Sequence, residues 1–309
     1  MYDLVKVEGL GKRYDGFALD RVSLKVPAGC VVGFVGSNGA GKTTTIKSIL
    51  GIVRPDAGNI ALFGEPTCGY AVDDAASTNA APAVHEAALA RAKARIGVVF
   101  DTCPFPTGSC VVDVERIGRF AFPTWRARTF KELAGAFGLD AKKQVNDLSR
   151  GMGMKLQLAF ALAHAPELLV LDEVTAGLDP LARDEVLDIL RDFMAAEGHG
   201  ILMSSHITSD LEKIADYVVC IDEGRLVFSC AVDDITDAAG LVRCGAADVA
   251  AIASSGLFAP GALRVARGSY AHEVLVPDRA LLSENFPQVA CERASIDDYM
   301  RLMLKGEAR

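Results

Sequence analysis

The stretch GFVGSNGAGKTTTIKSIL, beginning at Gly33, brings together the residue types that hold a polyphosphate. Gly36, Gly41, Lys42 and Thr43 fit the spacing G-x-x-x-x-G-K-[ST]. Glycines let the backbone curl tightly and aim successive N–H groups at an anion with no side chain in the way. A helical pattern follows at once, so the positive end of its dipole faces the same charge. Lys42 can reach β- and γ-phosphates, and the Thr43 hydroxyl is a ligand type for Mg2+. The loop as a whole, Gly36, Ser37, Asn38, Gly39, Ala40, Gly41, Lys42, Thr43 and Thr44, predicts a nucleoside triphosphate site and by itself nothing narrower.

ELLVLDEV, Glu167–Val174, adds two carboxylates. Apolar residues carry a strand to its carboxyl end, where Asp172 can hold Mg2+ through water. Glu173 follows directly, placed to orient and deprotonate a water that attacks the γ-phosphate.

Such residues need a rigid frame. Short apolar runs without alternation, Cys30–Val35, Leu168–Leu171, Ile201–Met203 and Ile96–Phe100, read as strands of a parallel sheet buried on both faces. Helical patterns separate them at Lys42–Leu50, Met154–Ala163, Asp184–Glu197 and Ser209–Ala215. Strands alternating with helices predict a layered α/β core. The first segment, LVKVEGLGKRYDGFALDRVSLKV, alternates and predicts antiparallel strands beside that core. Tyr217–Cys230 reads as a hairpin turning at Glu223 and Gly224. Pro66–Ala94 is Ala-rich and polar, a surface insertion whose second half has helical character. From about Asp101 to Leu148 helical patterns dominate, which suggests an inserted helical lobe; Trp125 within it is either a docking residue or ordinary helix packing. After Cys230 short strands alternate with short helices, ending in the amphipathic SIDDYMRLML, as in a small α+β appendage.

Composition narrows the classes. The chain has 309 residues, half of them apolar, and a formal net charge of -8. That charge argues against a general polyanion binder, so no nucleic-acid partner is expected. Eight cysteines show no CxxC pairing, and no signal-peptide pattern opens the chain. The cysteines read as buried thiols in a reducing compartment. No apolar run approaches the ~20 residues that span a bilayer, and the chain is expected to be soluble.

Further motifs carry a resemblance. LSRGM at Leu148–Met152 resembles the LSGGQ signature of ABC-type ATPases. TAGLDP at Thr175–Pro180 is similar to that family's D-loop, and His206 in SSHITSDLEKIAD matches its switch histidine. Tyr14, in KRYDGFALD, sits where the family places an aromatic against adenine. These motifs stand in the family's order across residues 1–230. FPTWRARTFKELAGAFGL and IGVVFD are similar to the ATP-binding subunits of bacterial ABC-2-type exporters.

The resemblance implies a P-loop NTPase (ABC ATPase) core with an antiparallel β subdomain and a helical lobe at about residues 101–154. Residues 231–309 would form an α+β accessory domain. It implies ATP and Mg2+, with Thr43, Asp101 and Asp172 toward the metal, and Lys42, Glu173 and His206 toward the reaction. His206 would sense the γ-phosphate from the side of Glu173. Two chains, identical or related, would face head to tail, so that Ser149 and Gly151 of one meet the γ-phosphate held by the other. The dimer would drive a separately encoded ABC-2-type transmembrane permease, docked on the helical lobe, from the cytoplasmic face of the membrane. A cytosolic ABC-type ATPase working away from membranes, or a low-turnover regulatory nucleotide switch, are the alternatives.

Four positions depart from the family pattern. Arg150 replaces a signature glycine and Met152 its terminal glutamine; Arg150 is expected either to touch phosphate or, preferably, to project into solvent. Asp101 stands where the family has a glutamine, and a carboxylate can bind Mg2+ but cannot donate a hydrogen bond. Val174 stands where proline is usual. Turnover and coupling are in question there more than ATP binding.

Overall fold

Every residue of Val31–Val35 (β3), Leu168–Asp172 (β8) and Gly200–Ser204 (β9) is buried, which is why these runs lack alternation. The computed structural model describes residues 2–69, 83–268 and 271–309. The element order begins with β1 (Asp3–Tyr14), β2 (Phe17–Pro27), β3, α1 (Lys42–Ile49), β4 (Ala57–Leu62), β5 (Glu65–Gly69), β6 (Ala83–Val84) and α2 (Glu86–Lys93). It continues through β7 (Ile96–Val99), α3 (Val111–Ala121), α4 (Ala127–Ala136), α5 (Arg150–Ala163), β8, α6 (Pro180–Met194), β9 and α7 (Thr208–Ile214). The hairpin β10 (Tyr217–Asp222) and β11 (Arg225–Ala231) follows, turning at Glu223 and Gly224 as expected. Both turn residues have positive φ, 44° and 76°, the conformation that matches the twist of paired strands in a two-residue hairpin. The chain ends with β12 (Gly240–Cys244), α8 (Ala246–Ser254), β13 (Arg264–Arg267), β14 (His272–Val276), α9 (Arg279–Asn285), β15 (Cys291–Arg293), α10 (Ile296–Lys305) and β16 (Glu307–Ala308).

The central sheet runs β11-β10-β3-β9-β8-β7. All of its pairings are parallel except that of the β10–β11 hairpin. The carboxyl ends of β3, β9, β8 and β7 therefore open on one edge, the position where open α/β sheets present their ligand sites. An antiparallel sheet, β2-β1-β4-β5-β6, lies beside this core and shares a hydrophobic cluster with it through Phe34, Val32 and Leu202.

Several expected boundaries move. The helix expected from Met154 begins at Arg150, because Ser149 caps it, its hydroxyl accepting from the Met152 amide. The helix expected from Asp184 begins at Pro180; Asp179 accepts the amides of Leu181 and Ala182, and proline suits the first helical position. The polar half of the Ala-rich insertion, residues 70–82, lies outside the described residues, and its second half is α2.

Between β7 and β8 lie α3, α4 and α5. Trp125 is packed within this lobe, its ring 5.5 Å from that of Phe130 and 5.1 Å from that of Phe160. Of the two readings of Trp125, helix packing is the one observed. Phe120, on α3, is 95% exposed instead. His164 is buried beneath Phe122, the rings stacked at 4.0 Å, and desolvation lowers its pKa to about 4.

The third sheet, β15-β12-β14-β13-β16, is wholly antiparallel. Its amphipathic helix α10 packs back onto the first part of the chain: Ile296 is buried in the same cluster as Leu211 and Val218, and the Ile296 amide donates to Glu212 Oε1 at 2.7 Å.

Candidate functional site

At the end of β3 the chain leaves the sheet through Gly36. A Cβ there would stand 2.2 Å from the Ile221 carbonyl oxygen of the neighbouring strand β10, so only glycine fits. Gly41, at φ 113°, is the N-cap of α1 and offers no side chain to cap its first turn. The first-turn amides of that helix are thus left as donors for an anion. Lys42 is 7% exposed, and its Nζ donates to the carbonyls of Gly36 (2.8 Å) and Ser37 (3.2 Å), folding the loop around its own ammonium. Ser37 is fixed in turn by a 2.8 Å hydrogen bond to Asp222.

Asp172 comes from the end of β8 and is 3% exposed. Its two oxygens are both occupied: Thr43 Oγ1 donates to Oδ2 at 2.8 Å, and Ser204 Oγ donates to Oδ1 at 2.6 Å. Ser204 pairs with Asp172 across the β8–β9 ladder and with Phe34 across β3–β9, so strand register sets this contact. A hydroxyl and a carboxylate side by side at a phosphate loop are the hard oxygen donors Mg2+ prefers, and these residues fit that ion.

Glu173 adopts a left-handed backbone, φ 57°, which is uncommon for a residue with a side chain and needs support from its surroundings. Ser204 provides it. The Glu173 amide donates to both the carbonyl and the hydroxyl oxygen of Ser204 at 3.1 Å. This turn directs the carboxylate between two partners, with Oε1 3.7 Å from Lys42 Nζ and Oε2 2.5 Å from His206 Nδ1. The His206 amide also donates to Oε2, at 3.3 Å. A carboxylate held beside a phosphate loop by a cation and an imidazole is arranged to accept a proton from a water there.

A cleft of about 650 Å³ joins these groups, lined by the phosphate loop, Asp101, Asp172 and Glu173. Tyr14 is not among its lining residues; it is 47% exposed and its ring packs with Lys12. Phe17 and Gly16, across the same hairpin, do line the cleft. Sequence reading missed Phe17 because KRYDGF offers two aromatics, and only the β1–β2 register, Tyr14 opposite Phe17, separates them.

Ser149 and Gly151 do not reach that cleft. They lie at the start of α5, Ser149 exposed, and Gly151 rests on Leu178 of TAGLDP. Ser149 and Arg150 line a second cleft, which shares Asp101 with the first. There Arg150 is exposed, as the solvent-facing reading expects, and in addition its guanidinium is ion-paired with Asp101. The two departures from the family pattern are therefore partners. Opposite charges at hydrogen-bonding range compensate each other, and a glutamine at 101 or a glycine at 150 would leave the remaining member alone. Gln157, overlooked in the sequence, sets the approach. Its amide accepts from the Phe100 N–H at 2.9 Å and donates to the Phe100 carbonyl at 3.0 Å, just before Asp101.

A family model described as ABC transporter matches residues 19–176. The chain is 36% identical over 233 residues to the Nod factor export ATP-binding protein I of Ralstonia nicotianae, covering 72% of this chain and 66% of that protein. It is 32% identical over 230 residues to the bacitracin transport ATP-binding protein BcrA of Bacillus licheniformis, covering 74% and 69%. With the daunorubicin/doxorubicin resistance ATP-binding protein DrrA of Streptomyces peucetius it shares 34% over 229 residues, 72% of this chain and 64% of that protein. The matches thus span roughly two thirds of these relatives' lengths. Among solved structures, an ATP-binding subunit of an ABC transporter superposes with TM-score 0.64 at 27% identity, covering 75% of this chain and 91% of that one. A dimeric ATP-binding cassette in a post-hydrolysis state with ADP and Pi shares the fold at TM-score 0.62 and 19% identity, covering 74% and 98%.

An ion pair this exposed contributes little stability, about 0–1 kcal/mol, so its effect should appear in turnover. Arg150→Ala is expected to change the ATPase rate a few-fold and Asp101→Asn by at least as much, because Asp101 also lines the nucleotide cleft, and Arg150→Ala should add nothing once residue 101 is already Asn. Independent, multiplying effects in a phosphate-release assay would show that the pair does not act as a unit.

Proposed function

Because this chain belongs to the ABC transporter family of ATPases, we propose that it powers a separately encoded ABC-2-type permease by closing on ATP as a dimer and reopening after hydrolysis. The observation that carries this reading is a division of parts. Lys42, Thr43, Asp172 and Glu173 share one cleft, whereas Ser149 and Gly151 stand outside it. The signature residues would complete the γ-phosphate site of a second copy, identical or related, and closure would then depend on nucleotide.

In this reading the phosphate loop and the first turn of α1 bind the triphosphate, with Lys42 toward the β- and γ-phosphates. Thr43 and Asp172, with Asp101 at the rim, would hold Mg2+, which neutralises developing charge on the phosphate oxygens when bound. Glu173 takes the proton of the attacking water. His206 keeps that carboxylate in orientation from outside the loop, and Ser204 holds Glu173 and Asp172 at their places. Phe17 offers its ring to the base.

Among the described residues no helix is long and apolar enough to cross a membrane. Residence at the cytoplasmic face would follow from attachment to the permease. The exposed face of α3, with Phe120, Ile117 and Val112 in view of solvent, is the proposed docking surface. Residues 231–309 are the proposed accessory domain. Export, rather than import, is supported by the names of the relatives.

Two substitutions test this. Glu173→Gln should leave ATP affinity within about twofold of the parent and lower phosphate release on the order of 10²–10⁴-fold, the usual size of general-base catalysis; undiminished release would remove Glu173 from that role. Phe120→Asp should preserve ATP binding and reduce the share of the chain recovered on membranes that contain the permease. Undiminished recovery would place the docking surface elsewhere.

A further inference from the structure

The third sheet carries a cleft that no step of nucleotide hydrolysis uses. It measures about 570 Å³ and lies between α8, strands β13 and β14, and the C-terminal end of α10. That volume suits a small molecule. Its floor is apolar and small in side-chain size: Ala246, Ala250 and Ala253 recur on one face of α8, with Val265 on the α8 side of β13 and Ala266 on its α10 side.

The rim is cationic. The acidic residues of the cleft are already taken. Glu273 is bound by Arg301 at 2.5 Å and Arg243 at 3.5 Å, and Glu307 by Arg309 at 3.2 Å. Arg267 and Lys305 have no ion-pair partner among the described residues, and His272 presents a buried Nδ1 without a hydrogen-bond partner there. Spare positive charge above an alanine floor complements an anionic head on an apolar body.

The same helix touches the nucleotide machinery. Arg301 and Lys305 of α10 also line a separate cleft against Gly36, Ser37, Asn38 and His206. At its other end α10 is anchored to α7, the helix that follows His206, through Ile296 and Glu212. A ligand drawing on Arg301 or Lys305 would act on side chains that stand beside the phosphate loop.

We propose that this cleft binds an organic anion with an apolar body, a carboxylate, sulfonate or phosphate, and that α10 relays its occupancy to the nucleotide site. Binding is independent of the ATPase reading; the relay rests on it. The test is calorimetric titration of the full chain with naphthalene-1-sulfonate as probe and uncharged naphthalene-1-methanol as control. One sulfonate per chain should bind, and the alcohol should bind at least tenfold more weakly. Arg267→Glu, which reverses a rim charge, and Ala250→Trp, which fills the floor, should each weaken the sulfonate at least tenfold while ATP affinity measured without probe stays unchanged. Saturating sulfonate should shift the affinity for a non-hydrolysable ATP analogue by about fivefold or more, and the analogue should shift the sulfonate by the same factor, as linkage requires. Absent binding, or binding indifferent to charge and to both variants, overturns the site. Binding that meets those criteria but leaves nucleotide affinity unmoved overturns the relay. Failure of the unaltered chain to bind the ATP analogue in the absence of probe would instead count against the nucleotide reading.

Discussion

Parallel strand order is the constraint on which the rest of the molecule depends. With β3, β9, β8 and β7 running the same way, the residues just beyond their carboxyl ends must meet: Gly36–Thr43 after β3, Ser205 and His206 after β9, Asp172 and Glu173 at the end of β8, and Asp101 beyond β7. Register then decides atoms. Asp172 opposite Ser204 allows one serine hydroxyl to serve two purposes, donating to Asp172 and accepting from the strained amide of Glu173. Asp172 is nearly fully buried, so a lost partner would leave a charged oxygen unsatisfied in low dielectric, a cost of several kcal/mol. Thr43 and Ser204 prevent that.

The same edge decides which residues share the nucleotide cleft, and the helical lobe places Ser149 and Gly151 outside it at the start of α5. What the lobe does bring back is Asp101, shared between the two clefts and tied to Arg150. The pair links the lobe's own signature helix to the nucleotide cleft by charge. It replaces a neutral amide and a glycine with a compensating carboxylate and guanidinium, a change that neither position explains alone.

Much of this was legible in the sequence for physical reasons. The phosphate loop is local, its glycines, lysine and threonine adjacent in the chain, and the buried strands declare themselves as unbroken apolar runs. The hairpin at Glu223 and Gly224 was equally plain. Contacts created by pairing distant segments were not. Phe17 against Tyr14 depends on strand register, Ser204 on which strand neighbours β8, and the Asp101–Arg150 pair on how α5 leaves its cap. Ser149 as a helix cap shows the limit well: the helical pattern is read from Met154, whereas the helix begins at Arg150 with the Ser149 hydroxyl accepting the Met152 amide. The cleft of the third sheet had no motif at all, since alanines on α8 acquire meaning only once β13 and β14 lie opposite.

The central claim is that Ser149 and its neighbours complete a site held by another copy. Sedimentation velocity of the Glu173→Gln chain with saturating Mg-ATP tests it most directly, with Ser149→Glu added in a second sample. The account predicts a dimer with ATP that reverts to monomer when the nucleotide is omitted or when the acidic side chain is placed at 149. A chain that stays monomeric with ATP, or a dimer indifferent to Ser149→Glu, would contradict it.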